Sequence, residues 1–172
     1  MYLKVIGSVF LIFSAAAIGF VKAEELKCRV ERMEEMKRMM ILLQGELRFH
    51  RAELSEAFEN VAERVQEPFR DFLKETGSRL EKKEAGFDEI WEETSIKILT
   101  VEGIRREDEQ LLDLLKSSLG YLDLTLQTET LNLAILQTED SINQAKEQQA
   151  RKGKLYQTMG VTVGALLVLL II

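Results

Sequence analysis

Two long runs without a charged residue lie at opposite ends of this 172-residue chain. The first extends from Val5 to Val21 and the second from Leu155 to Ile172. An apolar helix of about 17 to 25 residues can cross the hydrocarbon core of a bilayer, which is roughly 30 Å thick. Each run is long enough for that, so both ends of the chain are predicted to be transmembrane helices.

Each run also has a second interpretation. The small residues Ala15 and Ala17 are of the type that a signal peptidase needs, so the first run has some features of a cleaved signal peptide. However, apolar residues continue past that point and only Lys4 precedes the run, which favours a retained anchor. The second run would fit a buried core helix, but it lacks a polar face. We therefore expect two retained anchors.

Basic residues flank both runs on the side of the central region. They are Lys22, Lys27, Arg29 and Arg32 after the first run, and Arg151, Lys152 and Lys154 before the second. Because basic flanks tend to stay inside the cell, the central region is predicted to face the cytoplasm. The expected organisation is an anchor at 1–23, a cytoplasmic helical domain at 24–154 and a second anchor at 155–172.

The central region has the periodicity of an all-α fold. Apolar residues recur at spacings of three and four, which is typical of amphipathic helices. The apolar stripes begin at Met33, Leu54, Phe69, Phe87, Leu111 and Leu124, and the last runs unbroken to Gly153. Pro68, Gly86, Gly103 and Gly120 punctuate them, and Gly77 is a weak point inside one helix. We predict an antiparallel bundle of about six helices flanked by N- and C-terminal transmembrane helices.

The sequence offers few groups for catalysis or metal binding. His50 is the only histidine, and with Glu46 and Glu53 it would form a poor ligand set for zinc. Cys28, the only cysteine, has two basic neighbours but no other activating group. Neither a phosphate-binding glycine loop nor a nucleophile elbow is present. A net charge of −6 disfavours nucleic-acid binding. We therefore predict no enzyme, no cofactor and no metal site.

Small residues recur at helical spacing within both terminal runs. Gly160 and Gly164 form a G-x-x-x-G pattern, and Ala15 and Gly19 form a looser version. Such spacing lets helices approach closely in lipid, so the runs could pair with each other or with a partner's span. Ordinary glycine usage in a span explains the pattern equally well.

An acidic stretch from Glu81 to Glu93 surrounds Trp91. It could dock a basic partner, but a solvated helix with a buried tryptophan is the favoured interpretation.

Four stretches of the chain carry a resemblance to a known family. They are KVIGSVFLIFSAAAIGF, LLQGELRFHRAELSEAFENVAERV, SLGYLDLTLQ and KGKLYQTMGVTVGALLVLLII. Together they resemble stage III sporulation protein AB of endospore-forming bacteria. The matching positions include Gln44, Glu46, Leu54, Ala57, Leu119, Gly120, Asp123, Gln127, Lys154, Tyr156, Gly160 and Gly164. The segment at 51–54 departs from the family, whose members often have Thr-Pro before the Leu-x-Glu-Ala segment.

The resemblance implies a non-enzymatic membrane platform. The family's soluble domain is similar to the cytoplasmic helical domain of the platform protein of type II secretion and type IV pilus machines. The protein would belong to the channel between mother cell and forespore, in the mother-cell membrane, during engulfment. Its implied partners are other channel proteins and a cytoplasmic ATPase, stage III sporulation protein AA, with a homo-oligomer also conceivable. Glu46, Asp123 and Gln127 are expected to make polar contacts within or between bundles.

Two rival functions remain at this point. A membrane-anchored coiled-coil scaffold or signalling protein would use the long last helix, although its apolar positions do not keep a clean seven-residue repeat. A membrane enzyme would have to use His50 or Cys28.

Overall fold

The computed structural model of the protein describes residues 2–50, 53–120 and 124–171. In those ranges the chain forms six α-helices and no strand. They are α1 (Tyr2–Gly45), α2 (Leu54–Ala62), α3 (Phe69–Glu81), α4 (Phe87–Ile98), α5 (Glu109–Leu119) and α6 (Leu124–Ile171). A π-helical turn, Glu46–His50, follows α1, and a 3-10 turn, Arg106–Asp108, precedes α5. The predicted all-α fold is confirmed.

The helices form two compact units. The terminal unit contains residues 1–30 and 143–172, and the central unit contains residues 31–142. Both α1 and α6 contribute residues to each unit. In the part of the chain that the structure describes, no helix has an apolar stretch long enough to cross a bilayer.

The first and last helices each join a bundle segment to an apolar end of the chain. The sequence allows this continuity for α1, whereas the last bundle helix was expected to reach only Gly153. The last helix passes through Gly153 without a break. A glycine inside a helix costs only about 1 kcal/mol relative to alanine, which long flanking helical segments can absorb.

A methionine-rich face of α1 lies at the centre of the core of the central unit. Met33, Met36, Met39, Met40 and Leu43 are fully buried. They join one hydrophobic cluster with side chains of the other five helices. The predicted stripe on this helix is therefore confirmed as its core face.

Gly77 marks a close approach of α3 to α2. A Cβ atom at this buried position would lie 3.2 Å from the Phe58 Cβ and 3.2 Å from the Ser55 carbonyl oxygen. Gly77, which the sequence indicates as a weak point of its helix, is thus a site of tight packing between α3 and α2.

Trp91 is buried under the acidic stretch, as the favoured interpretation predicts. Its ring meets Phe72 edge-on at 4.9 Å and lies 5.5 Å from the Phe87 ring, measured between centroids. The indole nitrogen is buried and donates no hydrogen bond among the described residues. Trp91 therefore acts here as an apolar side chain that joins α3 to α4.

Candidate functional site

The predicted residues Gln44 and Glu46 lie where α1 ends, which we call the polar end of α1, and Gln127 lies near the start of α6. The Glu46 carboxylate is buried and accepts hydrogen bonds from Asn60 of α2 and from Arg64, which follows the end of that helix. Asn60 Nδ2 lies 3.4 Å and an Arg64 guanidinium nitrogen 3.2 Å from its oxygens. A buried carboxylate needs such donors to offset its desolvation. Glu46 therefore fixes the end of α1 against α2.

Gln127 links α6 to the end of α5. Its buried Nε2 donates to the Leu119 carbonyl oxygen at 3.0 Å. The last carbonyls of a helix lack partners within that helix, so this bond satisfies one of them. α5 ends at Leu119, and Gly120 follows it as the predicted stop, with a φ of −77° that any residue can adopt. Asp123 lies outside the described residues.

Gln44 connects α1 directly to α6. Its Nε2 donates to the Thr128 carbonyl oxygen at 3.1 Å. Beside this bond is a polar cavity of about 510 Å³, lined by Gln44, Arg48, Thr125, Thr128, Glu129 and Asn132. Sequence reasoning missed this cavity, because its residues come from two helices that are distant in the chain.

The remaining predicted residues of the central unit serve packing. Ala57 is fully buried in α2, and Leu54 packs against the edge of the hydrophobic cluster. In the terminal unit, Lys154 is exposed and Tyr156 is half-buried.

In the terminal unit, α1 and α6 touch backbone to backbone at their small residues. A Cβ atom at Gly160 would lie 2.7 Å from the Ala15 carbonyl oxygen, and one at Gly19 would overlap the Tyr156 carbonyl. Gly164 is buried further along α6. An apolar cavity of about 250 Å³ lies at this crossing, lined by Ala15, Ile18, Gly19, Lys22, Tyr156, Met159, Gly160 and Val163. The structure therefore brings the predicted small residues together.

The two candidate chemical groups lie in different units. Cys28 is partly buried in the terminal unit, whereas His50 ends the π-helical turn of the central unit. Among the residues that the structure describes, no three His, Cys, Asp or Glu side chains are grouped to hold a metal ion.

Ion pairs hold α4 to its neighbours on the acidic surface. Arg79 of α3 pairs with Glu93 at 2.7 Å, and Lys116 of α5 pairs with Glu92 at 3.0 Å and Asp88 at 3.3 Å. Hydrogen bonds to these carboxylates raise the pKa of Lys116 and of Arg79 above their ordinary values, Glu92 and Glu93 respectively being the main cause. Several acids of the stretch are thus engaged within the protein.

Comparisons with known proteins give one consistent result. The model of the family described as stage III sporulation protein AB matches residues 4–172. The chain is 23% identical over 169 residues to stage III sporulation protein AB of Bacillus subtilis (strain 168), covering 98% of this chain and 99% of that protein. A solved structure of stage III sporulation protein AB is similar with a TM-score of 0.66 and 18% identity, covering 72% of this chain and 98% of that one. The structural similarity establishes a shared fold.

Proposed function

This chain belongs to the stage III sporulation protein AB family, and we propose that it is a non-enzymatic, membrane-anchored platform of the channel between mother cell and forespore. In this role it couples a cytoplasmic secretion-type ATPase, stage III sporulation protein AA, to the membrane part of the assembly. The observation that carries the proposal is the sharing of α1 and α6 between the two units. The helices that contain the uncharged runs also supply core residues of the central unit.

Membrane anchoring is supported by the sequence of the two ends. The runs Val5–Val21 and Leu155–Ile172 carry no charge, and basic residues follow the first and precede the second. The lack of charge over these runs favours burial in the apolar core of a bilayer, and basic flanks favour the cytoplasmic side. We place the protein in the mother-cell membrane around the forespore, with the central unit in the cytoplasm.

A structural role is supported by the contacts of the polar residues. Glu46 and Gln127 bind groups of neighbouring helices. Both side chains therefore stabilise the arrangement of helices, which a platform needs in order to present a fixed surface. His50 and Cys28 are assigned no chemical role.

Sporulating cells offer the direct test of this function. Cells that lack the protein should form few heat-resistant spores, and the wild-type chain should restore them. A Cys28→Ser, His50→Ala double variant should restore them equally well, because neither group performs chemistry. Failure of this well-folded variant would instead favour a membrane enzyme.

Coupling to the ATPase is tested by isolation of the tagged full chain from sporulating cells after mild cross-linking. The control bait is an unrelated tagged membrane protein of the same abundance. We expect more stage III sporulation protein AA to co-purify with this chain than with the control bait. Equal recovery with both baits would contradict the coupling role.

A further inference from the structure

The outer face of the α1–α6 pair in the central unit carries an exposed apolar patch. Two cross-links set the register of the helices: Lys37 pairs with Glu139 at 3.1 Å, and Gln44 bonds to the Thr128 carbonyl at 3.1 Å. Between them lie Ile41 on α1 and Leu133 and Leu136 on α6, which are 46%, 56% and 52% exposed. Single exposed apolar residues are ordinary, but three at one level of two paired helices suggest a contact surface.

Charges of opposite sign flank this patch on the two helices. On the α1 side, Arg38 lies one turn before Ile41, and Arg48 lies after it, in the π-helical turn that follows α1. On α6, Glu129 and Asp140 flank the two leucines. The patch therefore has a basic half contributed by α1 and an acidic half contributed by α6.

These charges are little used within the protein. Arg48, Glu129 and Asp140 are exposed and form no ion pair with another described residue. Within the described part of the chain, the acidic partner of Arg38 is Glu35, at 3.8 Å, and the Arg38 side chain is 55% exposed. An exposed pair at that distance contributes little. The Arg48 guanidinium lies 5.5 Å from the centroid of the Phe49 ring, a contact that leaves its charge without a described acidic partner. All four charges are therefore available for ion pairs with a partner.

We propose that this face binds a second copy of the same chain, related by a two-fold axis parallel to the helices. Such an axis lays α1 of one copy on α6 of the other. Ile41 then meets Leu133 and Leu136 of the second copy. Arg38 faces Asp140 and Arg48 faces Glu129, at both ends of the patch. A two-fold interface must be self-complementary, and this pattern of charges satisfies that requirement.

The charges also exclude the other symmetric arrangement of the same two faces. A two-fold axis across the helices would lay α1 on α1 in antiparallel fashion. Arg38 would then face Arg48, and Glu129 would face Asp140, which is unfavourable at both ends. With the parallel axis both copies point the same way, as two copies anchored in one membrane must. Only this agreement between the parallel axis and membrane anchoring rests on the proposed function.

Cysteine cross-linking of the full chain distinguishes these arrangements. In a Cys28→Ser background, chains with Ile41→Cys and chains with Leu133→Cys carry different tags and are mixed in mild detergent before oxidation. We expect mixed disulfide dimers in clear excess over dimers of either variant alone. Ile96→Cys, at a residue of α4 that is 63% exposed, is the control for random collision. Mixed dimers no more abundant than with Ile96→Cys would overturn the proposal, as would a predominance of Leu133→Cys homodimers.

Charge reversal tests the complementarity itself. Arg48→Glu and Glu129→Arg should each weaken dimerisation about tenfold in analytical ultracentrifugation, and the double variant should recover most of the loss. Unchanged helical circular dichroism in all three confirms that folding is intact. A monomer at every concentration, or no recovery in the double variant, would contradict the interface. Neither result would affect the membrane or sporulation tests above, so failure of the dimer is distinguishable from failure of the proposed function.

Discussion

At the scale of single residues, the polar end of α1 depends on the Glu46 carboxylate. The carboxylate is 6% exposed, and Arg64 supplies its positive partner at 3.2 Å. Because the carboxylate is desolvated, loss of a donor is more costly than the modest net value of an ordinary hydrogen bond.

An Arg64→Ala substitution tests this dependence. We expect it to lower the free energy of unfolding by about 1–3 kcal/mol, because a buried carboxylate loses a charged donor. Glu63→Ala, at the exposed neighbouring position, is the matched control and should have little effect. Urea unfolding of the full chain, followed by circular dichroism, provides the comparison. Equal losses in the two variants would show that the Glu46 contact contributes nothing.

Gly160 is the corresponding residue in the terminal unit. A Gly160→Leu substitution must separate α1 from α6, because even a Cβ would lie 2.7 Å from the Ala15 carbonyl oxygen. Overpacking of this kind typically costs about 1–3 kcal/mol. Gly153→Leu lies on the same helix with open space around the glycine and should be neutral or stabilising. Thermal unfolding in detergent should separate the two variants, and equal melting temperatures would contradict the close contact.

At the scale of elements, α4 is held to its neighbours by a buried aromatic contact and by ion pairs at the surface. Trp91 packs against Phe72 of α3, while Lys116 of α5 reaches the carboxylates of α4. The two kinds of contact respond to different changes, since the first depends on volume and the second on pH.

Replacement of Trp91 separates its packing from its polarity. Trp91→Ala should cost about 3–5 kcal/mol through the cavity that it leaves. Trp91→Phe should cost less than half as much, because an aromatic ring remains and the indole nitrogen donates no hydrogen bond to a described residue. Urea unfolding checks both values. A similar loss for both variants would mean that the indole nitrogen matters after all.

The Lys116 ion pairs should make stability sensitive to alkaline pH. Hydrogen bonds to Glu92 raise the pKa of this amine above its ordinary value of 10.5 in the folded state. Its contribution is therefore complete below pH 10.5 and is lost as the pH rises through the folded-state pKa. The stability difference between wild type and Lys116→Met should shrink above that pH. A constant difference for Lys116→Met would contradict this contribution.

At the scale of the whole molecule, local pattern predicted the helices but not their pairing. Apolar spacing and the breaks at Pro68, Gly86 and Gly120 gave the central elements, because helix formation depends on near neighbours. The packing role of Gly77 was missed, because the contact that requires a glycine there is made by the backbone of another helix. The polar cavity and the Arg64 partner of Glu46 were missed for the same reason. Such contacts join residues far apart in the chain, and a single sequence does not record them.

Our central proposal is that the protein is anchored in the membrane with its central unit in the cytoplasm. The most direct test uses Glu107→Cys, at an exposed position between α4 and α5, in a Cys28→Ser background. Intact cells stripped of their wall are treated with a membrane-impermeant thiol reagent before and after lysis, and the protein is followed through membrane fractionation. The account predicts that the protein sediments with membranes, resists extraction by high salt and is labelled only after lysis. Labelling before lysis, or release from membranes by salt alone, would contradict it.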